Sequence, residues 1–140
     1  MAIWSREITI EQLNQYIKNT MSEVLGMQFL EIGDDFLKAS MPVDDRTRQP
    51  FGLLHGGANV ALAETVASMA ANGVIDPQNY YCVGLEINAN HLRAVKEGIV
   101  TAIASPIHLG RTTQVWEINI FDERGKKTCV SRMTAAVVKR

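Results

Sequence analysis

Pro50-Phe-Gly-Leu-Leu-His55-Gly56-Gly57 runs straight into Ala58-Asn-Val-Ala-Leu-Ala-Glu64-Thr-Val-Ala-Ser68-Met-Ala-Ala-Asn72-Gly73. From Ala58 to Asn72 the chain is rich in Ala, Leu, Val and Met, nearly free of charge, and closed by Gly73. A helix that is apolar on nearly every side is buried, not laid on a surface. Before it lies a polar loop from Asp44 to Leu54, with Pro50 and Gly52, longer than a simple connection needs. Further upstream, Gln28 to Ile32 and Phe36 to Val43 flank Gly33-Asp34-Asp35 and read as a hairpin, with Leu37, Ala39, Met41 and Val43 on one face. Thr9-Ile-Glu-Gln12 has the form of a capping box, and Ile10, Leu13, Ile17, Met21 and Val24 follow at helical spacing, which predicts one helix over about residues 10 to 25. Downstream of Asp76-Pro77 the period changes to two. Tyr81, Val83, Leu85 and Ile87 alternate with Cys82, Gly84, Glu86 and Asn88, and Gly98 to Ser105, Thr112 to Phe121 and Thr128 to Val138 continue as strands. The order is helix, two strands, buried helix, four strands. Strands joined by short turns make an antiparallel sheet, and the central helix needs a concave sheet face to cover it, so the expected class is α+β.

At 140 residues the chain is expected to be one domain, 1–140, long enough to hide roughly 70% of its unfolded surface. Apolar residues make up 46% and charged residues 21%, an ordinary globular balance that excludes disordered and fibrous classes. With a net charge of -1 the chain lacks the concentrated positive excess that phosphate-backbone binding needs, so no nucleic-acid partner is expected. No signal peptide and no membrane span are expected, because no apolar run approaches ~18 residues. Cys82 and Cys129 lie far apart among apolar neighbours and read as buried free thiols of a reducing cytosol.

Several chemistries are absent from the sequence. There is no Gly-x-Ser-x-Gly and no phosphate-binding Gly-x-x-x-x-Gly-Lys, and His55, His91 and His108 lack metal-ligand spacing, so no metal site is expected. Gly56 and Gly57 open the central helix, where first-turn amides have no intrahelical partner and the helix end carries partial positive charge. That is either a donor site for a carbonyl becoming an oxyanion or merely a sharp entry into the core. Glu64 is the sole ionisable residue from Ala58 to Ile75. An unpaired carboxylate in an apolar helix has its pKa pushed upward by burial, the environment of a base or nucleophile; a structural glutamate at a subunit contact is the alternative. Ser68, one turn on, either holds a water against Glu64 or bonds back to its own helix. Gln49 can donate its side-chain amide or lie exposed. His91, Arg93, Lys96, His108 and Arg111 form either a phosphate site at strand ends or a solvated rim.

The segment from Gln49 to Ser68, with Val83-Gly-Leu-Glu-Ile-Asn-Ala-Asn-His91, Ser105-Pro-Ile-His-Leu-Gly110 and Phe121-Asp-Glu-Arg-Gly125, resembles the hotdog-fold acyl-CoA thioesterases. The branch it resembles acts on 4-hydroxybenzoyl-CoA and 1,4-dihydroxy-2-naphthoyl-CoA. The resemblance implies a sheet wrapped around a central helix and hydrolysis of an acyl-CoA thioester without metal or redox cofactor. It further implies Glu64 as base or nucleophile and the Gly56 amide as oxyanion donor. By the same resemblance His55 and Gln49 orient thioester and water, Ser68 binds the water, and His91, Arg93, His108 and Arg111 border the nucleotide end of coenzyme A. A menaquinone-pathway role is the implication of the naphthoyl branch, and a sister branch clears wrongly loaded aryl groups from a carrier protein. A non-catalytic acyl-CoA sensor is the remaining reading.

Geometry adds an expectation of its own. Gly56 and Glu64 are eight positions apart, ~12 Å along a straight helix at ~1.5 Å per residue. One chain cannot readily bring both to one thioester, so two antiparallel helices about a two-fold axis are expected to share each site. The resemblance implies such a homodimer too, often paired into a dimer of dimers.

Overall fold

The computed structural model describes residues 1–140. Two short helices, α1 (Ile10–Tyr16) and α2 (Met21–Val24), precede strands β1 (Gln28–Ile32) and β2 (Leu37–Val43). The long helix α3 (Gly56–Gly73) follows, then strands β3 (Tyr80–His91), β4 (Gly98–Leu109), β5 (Thr113–Phe121) and β6 (Lys127–Lys139). The six strands form one sheet in the order β1-β2-β4-β5-β6-β3, with every neighbouring pair antiparallel.

The sheet closes around α3 because the helix carries small residues where the larger side chains of the sheet meet it. Leu62, Ala63, Val66, Ala67, Ala70 and Ala71 of α3 pack with Leu37 and Met41, Val100 and Ala102, Trp116 and Ile118, and Met133, all with 0% exposure. The alanines let the helix axis lie close to the sheet. Each fully buried Leu, Ile or Val contributes roughly 1.5–3 kcal/mol. Gln114, drawn into this interior, is paired: it donates Nε2–H to the Ala71 carbonyl and accepts from Trp116 Nε1 at 2.8 Å. Asn72 ties α3 to β3 by accepting from the Cys82 N–H at 2.9 Å and donating to its carbonyl at 3.3 Å. The C-terminal end of α3 is capped by the chain's first residues. Ser5 donates its backbone N–H to the Gly73 carbonyl at 2.9 Å and its hydroxyl to that of Ile75 at 2.6 Å.

Four expectations change. The capping box forms as read, with Thr9 and Gln12 bonded reciprocally, but the single helix over residues 10 to 25 is two helices. Asn19 adopts φ 61°, the left-handed region that asparagine tolerates, and breaks the run, so Met21 and Val24 face solvent instead of the core. The central helix is not buried all round. Val60, Ala61, Glu64, Thr65, Ser68, Met69 and Asn72 form a half-buried stripe down one side, which its apolar composition concealed. Strand β4 runs on to Leu109, so His108 lies on a strand. Finally, β3 is not joined to β4 by a short turn: it lies at the sheet edge beside β6, and residues 92–97 cross from one edge to the interior. No helix is long and apolar enough to cross a membrane.

Candidate active site

The loop before α3 is built to deliver His55 and Gly56 at a fixed place. Thr47, 1% exposed, donates its hydroxyl to the Pro42 carbonyl at 2.8 Å and accepts from the Asp44 N–H, while its carbonyl receives the His55 N–H at 2.7 Å. Arg48 donates Nε–H to the Lys96 carbonyl and Leu54 its N–H to Val95, which fastens the loop to the segment after β3. At its tip the Gln49 side-chain carbonyl accepts from the Phe51 and Leu53 backbone N–H groups. Its oxygen is thereby engaged, and its NH2 group is the end left to donate.

His55 is the N-cap of α3. Its Nδ1 accepts the Gly57 N–H at 2.7 Å, which fixes the ring and leaves the neutral imidazole's proton on Nε2. The Gly56 N–H has no partner within the chain, as expected of a first-turn amide. His91, at the end of β3, comes to the same spot: a Cβ at Gly56 would lie 2.8 Å from His91 Nε2. Its Nδ1 is 3.3 Å from the amide nitrogen of Asn59, a 4% exposed residue whose side-chain oxygen has no partner. Sequence reading did not single out Asn59, whose only signal is a polar residue inside an apolar helix.

Glu64 lies two turns down α3 on the half-buried stripe, with neither carboxylate oxygen hydrogen-bonded or ion-paired within the chain. It points at β3, where a Cβ on Gly84 would meet its Oε1 at 2.8 Å. Ser68 does not bond back to its own helix; its hydroxyl leans on Met133 Sδ at 3.7 Å, a weak acceptor that leaves it free for a water. Beyond Ser68 the stripe continues through Met69 and Asn72 into a cleft of about 790 Å³, walled also by Tyr16, Tyr81 and Cys82 and rimmed by Arg6 and Arg140. Burial pushes the Cys82 thiol up to about 11, so that wall is uncharged at neutral pH.

The four expected nucleotide-contacting cations fall into two pairs within one chain. His91 pairs with Cys129 near the start of β6, and the Arg93 N–H bonds the Thr128 carbonyl beside it. Arg111 sits in the turn whose Thr112 carbonyl receives the Val137 N–H at the far end of β6, with His108 close by on β4. All four are exposed, and a single chain does not gather them. His91 belongs geometrically with Gly56.

The fold and these residues can be set beside known proteins. Residues 51–129 match the family described as the thioesterase superfamily. The 1,4-dihydroxy-2-naphthoyl-CoA hydrolase of Escherichia coli K12 is 52% identical over 136 residues, covering 97% of this chain and 99% of that one. The proofreading thioesterase EntH of Cronobacter turicensis is 52% identical over 137 residues, covering 97% and 98%. A crystal structure of a mutant of thioesterase PA1618 from Pseudomonas aeruginosa superposes with TM-score 0.98 at 52% identity, over 99% of this chain and 100% of that chain. The chain belongs to the thioesterase superfamily, with the hotdog architecture. It is a thioester hydrolase.

Proposed function

We propose that the whole chain, one domain over residues 1–140, hydrolyses acyl-CoA thioesters with aromatic or medium apolar acyl groups. The observation that carries this reading is the pairing of an unpartnered Gly56 N–H at a helix terminus with an unpaired Glu64 carboxylate on the same helix's half-buried stripe. The thioester carbonyl accepts from the Gly56 N–H, a donor with no partner in the chain that serves the negative charge developing on the oxygen. Gln49 NH2 and His55 Nε2–H orient thioester and water, and Ser68 holds the water. Glu64 either attacks the carbonyl carbon, expelling coenzyme A thiolate and forming a mixed anhydride that water then hydrolyses to restore the carboxylate, or takes a proton from the attacking water and returns it to the departing thiolate. By either route the C–S bond breaks, a proton of the water goes to the sulfur, and the acyl group leaves as its acid. Arg93, His108 and Arg111, with His91, border the nucleotide end of coenzyme A, and since one chain does not gather them they do so where chains meet in the assembly. The acyl group enters the cleft beside Met69 and Tyr81, whose volume and aromatic and aliphatic side chains suit an aromatic ring. With a naphthoyl-CoA hydrolase among the relatives, 1,4-dihydroxy-2-naphthoyl-CoA is the first substrate to try, which would put the enzyme in menaquinone synthesis.

The site is completed by a second copy. Gly56 and Glu64 are ~12 Å apart along α3. Strand β3 is an edge of twelve residues with Tyr81, Val83 and Leu85 at 37%, 43% and 62% exposure, next to the Glu64 stripe. Pairing of two such edges covers both and sets two α3 helices side by side. We take a homodimer, assembled further into a dimer of dimers, as the working unit, and the cytoplasm as its place, consistent with two buried free thiols. The relative named as a proofreading thioesterase favours a second reading, removal of misloaded aryl groups from a carrier protein.

The test is Glu64→Gln, which keeps shape and removes charge. Turnover of benzoyl-CoA, naphthoyl-CoA and aliphatic thioesters should fall by about 10² to 10⁴, with substrate binding retained. A variant that keeps more than roughly a tenth of the wild-type rate would make Glu64 structural. Comparing kcat/KM on acyl-CoA with the same acyl group on a carrier protein separates the two readings.

A further inference from the structure

We propose that Gly84 is a positioning residue for the Glu64 carboxylate, and that the side-chain space left open at position 84 is the carboxylate's seat. The inference rests on the reading of Glu64 as the group that acts on the thioester or its water.

Gly84 is not held as glycine by a left-handed backbone. The glycines that adopt left-handed φ in this chain are Gly26, Gly52, Gly98 and Gly125, and Gly84 is not among them. Glycine inside a strand weakens it and marks either a bulge or a close approach. Both are present. Gly84 pairs with Ala135 and Glu86 with Thr134, so Leu85 is an inserted residue and β3 is bulged at this point. Bulges bend a strand and re-aim its side chains, and they recur beside active sites. The close approach comes from one group alone. A Cβ at position 84 would lie 2.8 Å from Glu64 Oε1 and 3.7 Å from its carboxyl carbon, with no other atom within 4 Å.

That environment differs from the glycines that serve packing. At Gly73 the obstacle is the Trp4 ring, held in place by its bond to the Gly33 carbonyl. At Gly84 the obstacle is the free end of a flexible side chain, which can swing aside without disturbing the core. A methyl group there is accommodated by moving the carboxylate. The cost therefore falls on chemistry and not on folding, because a displacement near 1 Å of a reacting group costs on the order of 10² in rate.

The experiment is Gly84→Ala in the full chain, with benzoyl-CoA as substrate, read by kcat, KM, thermal midpoint and assembly size. The expected result is a kcat reduced by about 10- to 100-fold, a KM little changed, and a midpoint and assembly equal to or above those of the wild type. Glu64→Asp gives a second readout. Its carboxylate is withdrawn from β3 by one methylene, so it should cost activity with Gly84 present and cost little or restore activity in the Gly84→Ala background. A Gly84→Ala protein with full kcat overturns the proposal, as does one whose midpoint or assembly falls, or one in which the two losses simply multiply. Glu64→Gln is the control for the underlying reading: if it is inactive while Gly84→Ala is fully active, Glu64 keeps its role and only the seat is lost.

Discussion

The His91 ring occupies the space where a side chain at Gly56 would go, its Nε2 2.8 Å from the position of a Cβ there. An element far along the chain thus sets the residue type at the helix terminus. Gly56→Ala should fold, since the exposed His91 ring can turn away, but the donor site is disturbed and hydrolysis should drop at least tenfold, toward the range of about 10² seen for a compromised oxyanion donor. Removing the obstacle should help: the Gly56→Ala, His91→Ala double variant is expected to be faster than either the Gly56→Ala variant or the product of the two single effects. Steady-state thiol release measures all three. Strict multiplication would mean that His91 does not act on position 56.

The His55 imidazole caps α3 through Nδ1, and on the proposed reading it serves the chemistry through the other nitrogen. His55→Ala removes the acceptor for Gly57 and should destabilise by about 1 kcal/mol, a few degrees of thermal midpoint, while abolishing most activity. His55→Asn keeps an acceptor that caps well but has no group in the place of Nε2–H. It should melt like the wild type and remain nearly inactive. Equal midpoints for the Ala and Asn variants would separate His55 from the cap.

How much of this was legible in the residues differs by element. The central helix and the loop before it were, because a long run rich in Ala, Leu and Val with a lone carboxylate is visible without knowing any contact. The hairpin of β1 and β2 was legible from alternation about Gly33-Asp34-Asp35. The place of β3 was not. Alternation tells which residues share a face but not which strand lies alongside, and β3 pairs with β6 at the edge although β4 follows it in sequence. His91 therefore read as one of several scattered cations, and only the register that sets it opposite Cys129 brings it to Gly56. The break at Asn19 was masked by Met21 and Val24, which keep the helical period while facing solvent.

Cys82 offers a check on the packing between α3 and β3. Burial raises its thiol from an ordinary 9.0 to about 11, and its Sγ–H donates to the Ala71 carbonyl at 3.5 Å. Alkylation by a small maleimide at neutral pH should be slow in the folded protein and fast after unfolding. Between pH 9 and about 11 the unfolded chain has lost this proton and the folded chain has kept it, so stability falls as pH rises through that window. Cys82→Ala should flatten that part of the curve in denaturant titrations, leaving the contribution of Cys129, whose thiol burial also raises.

The claim that one site is made by two chains is tested most directly by mixed dimers. His55→Ala and Glu64→Ala, each nearly inactive alone, are coexpressed with distinguishable tags, and the assemblies are verified by native mass spectrometry. Random pairing about a two-fold axis makes half the dimers mixed, each with one intact site of two, so roughly a quarter of wild-type activity should return. Activity that stays at the parental level while mixed dimers are present would mean that His55 and Glu64 act from the same chain, and would contradict the shared site.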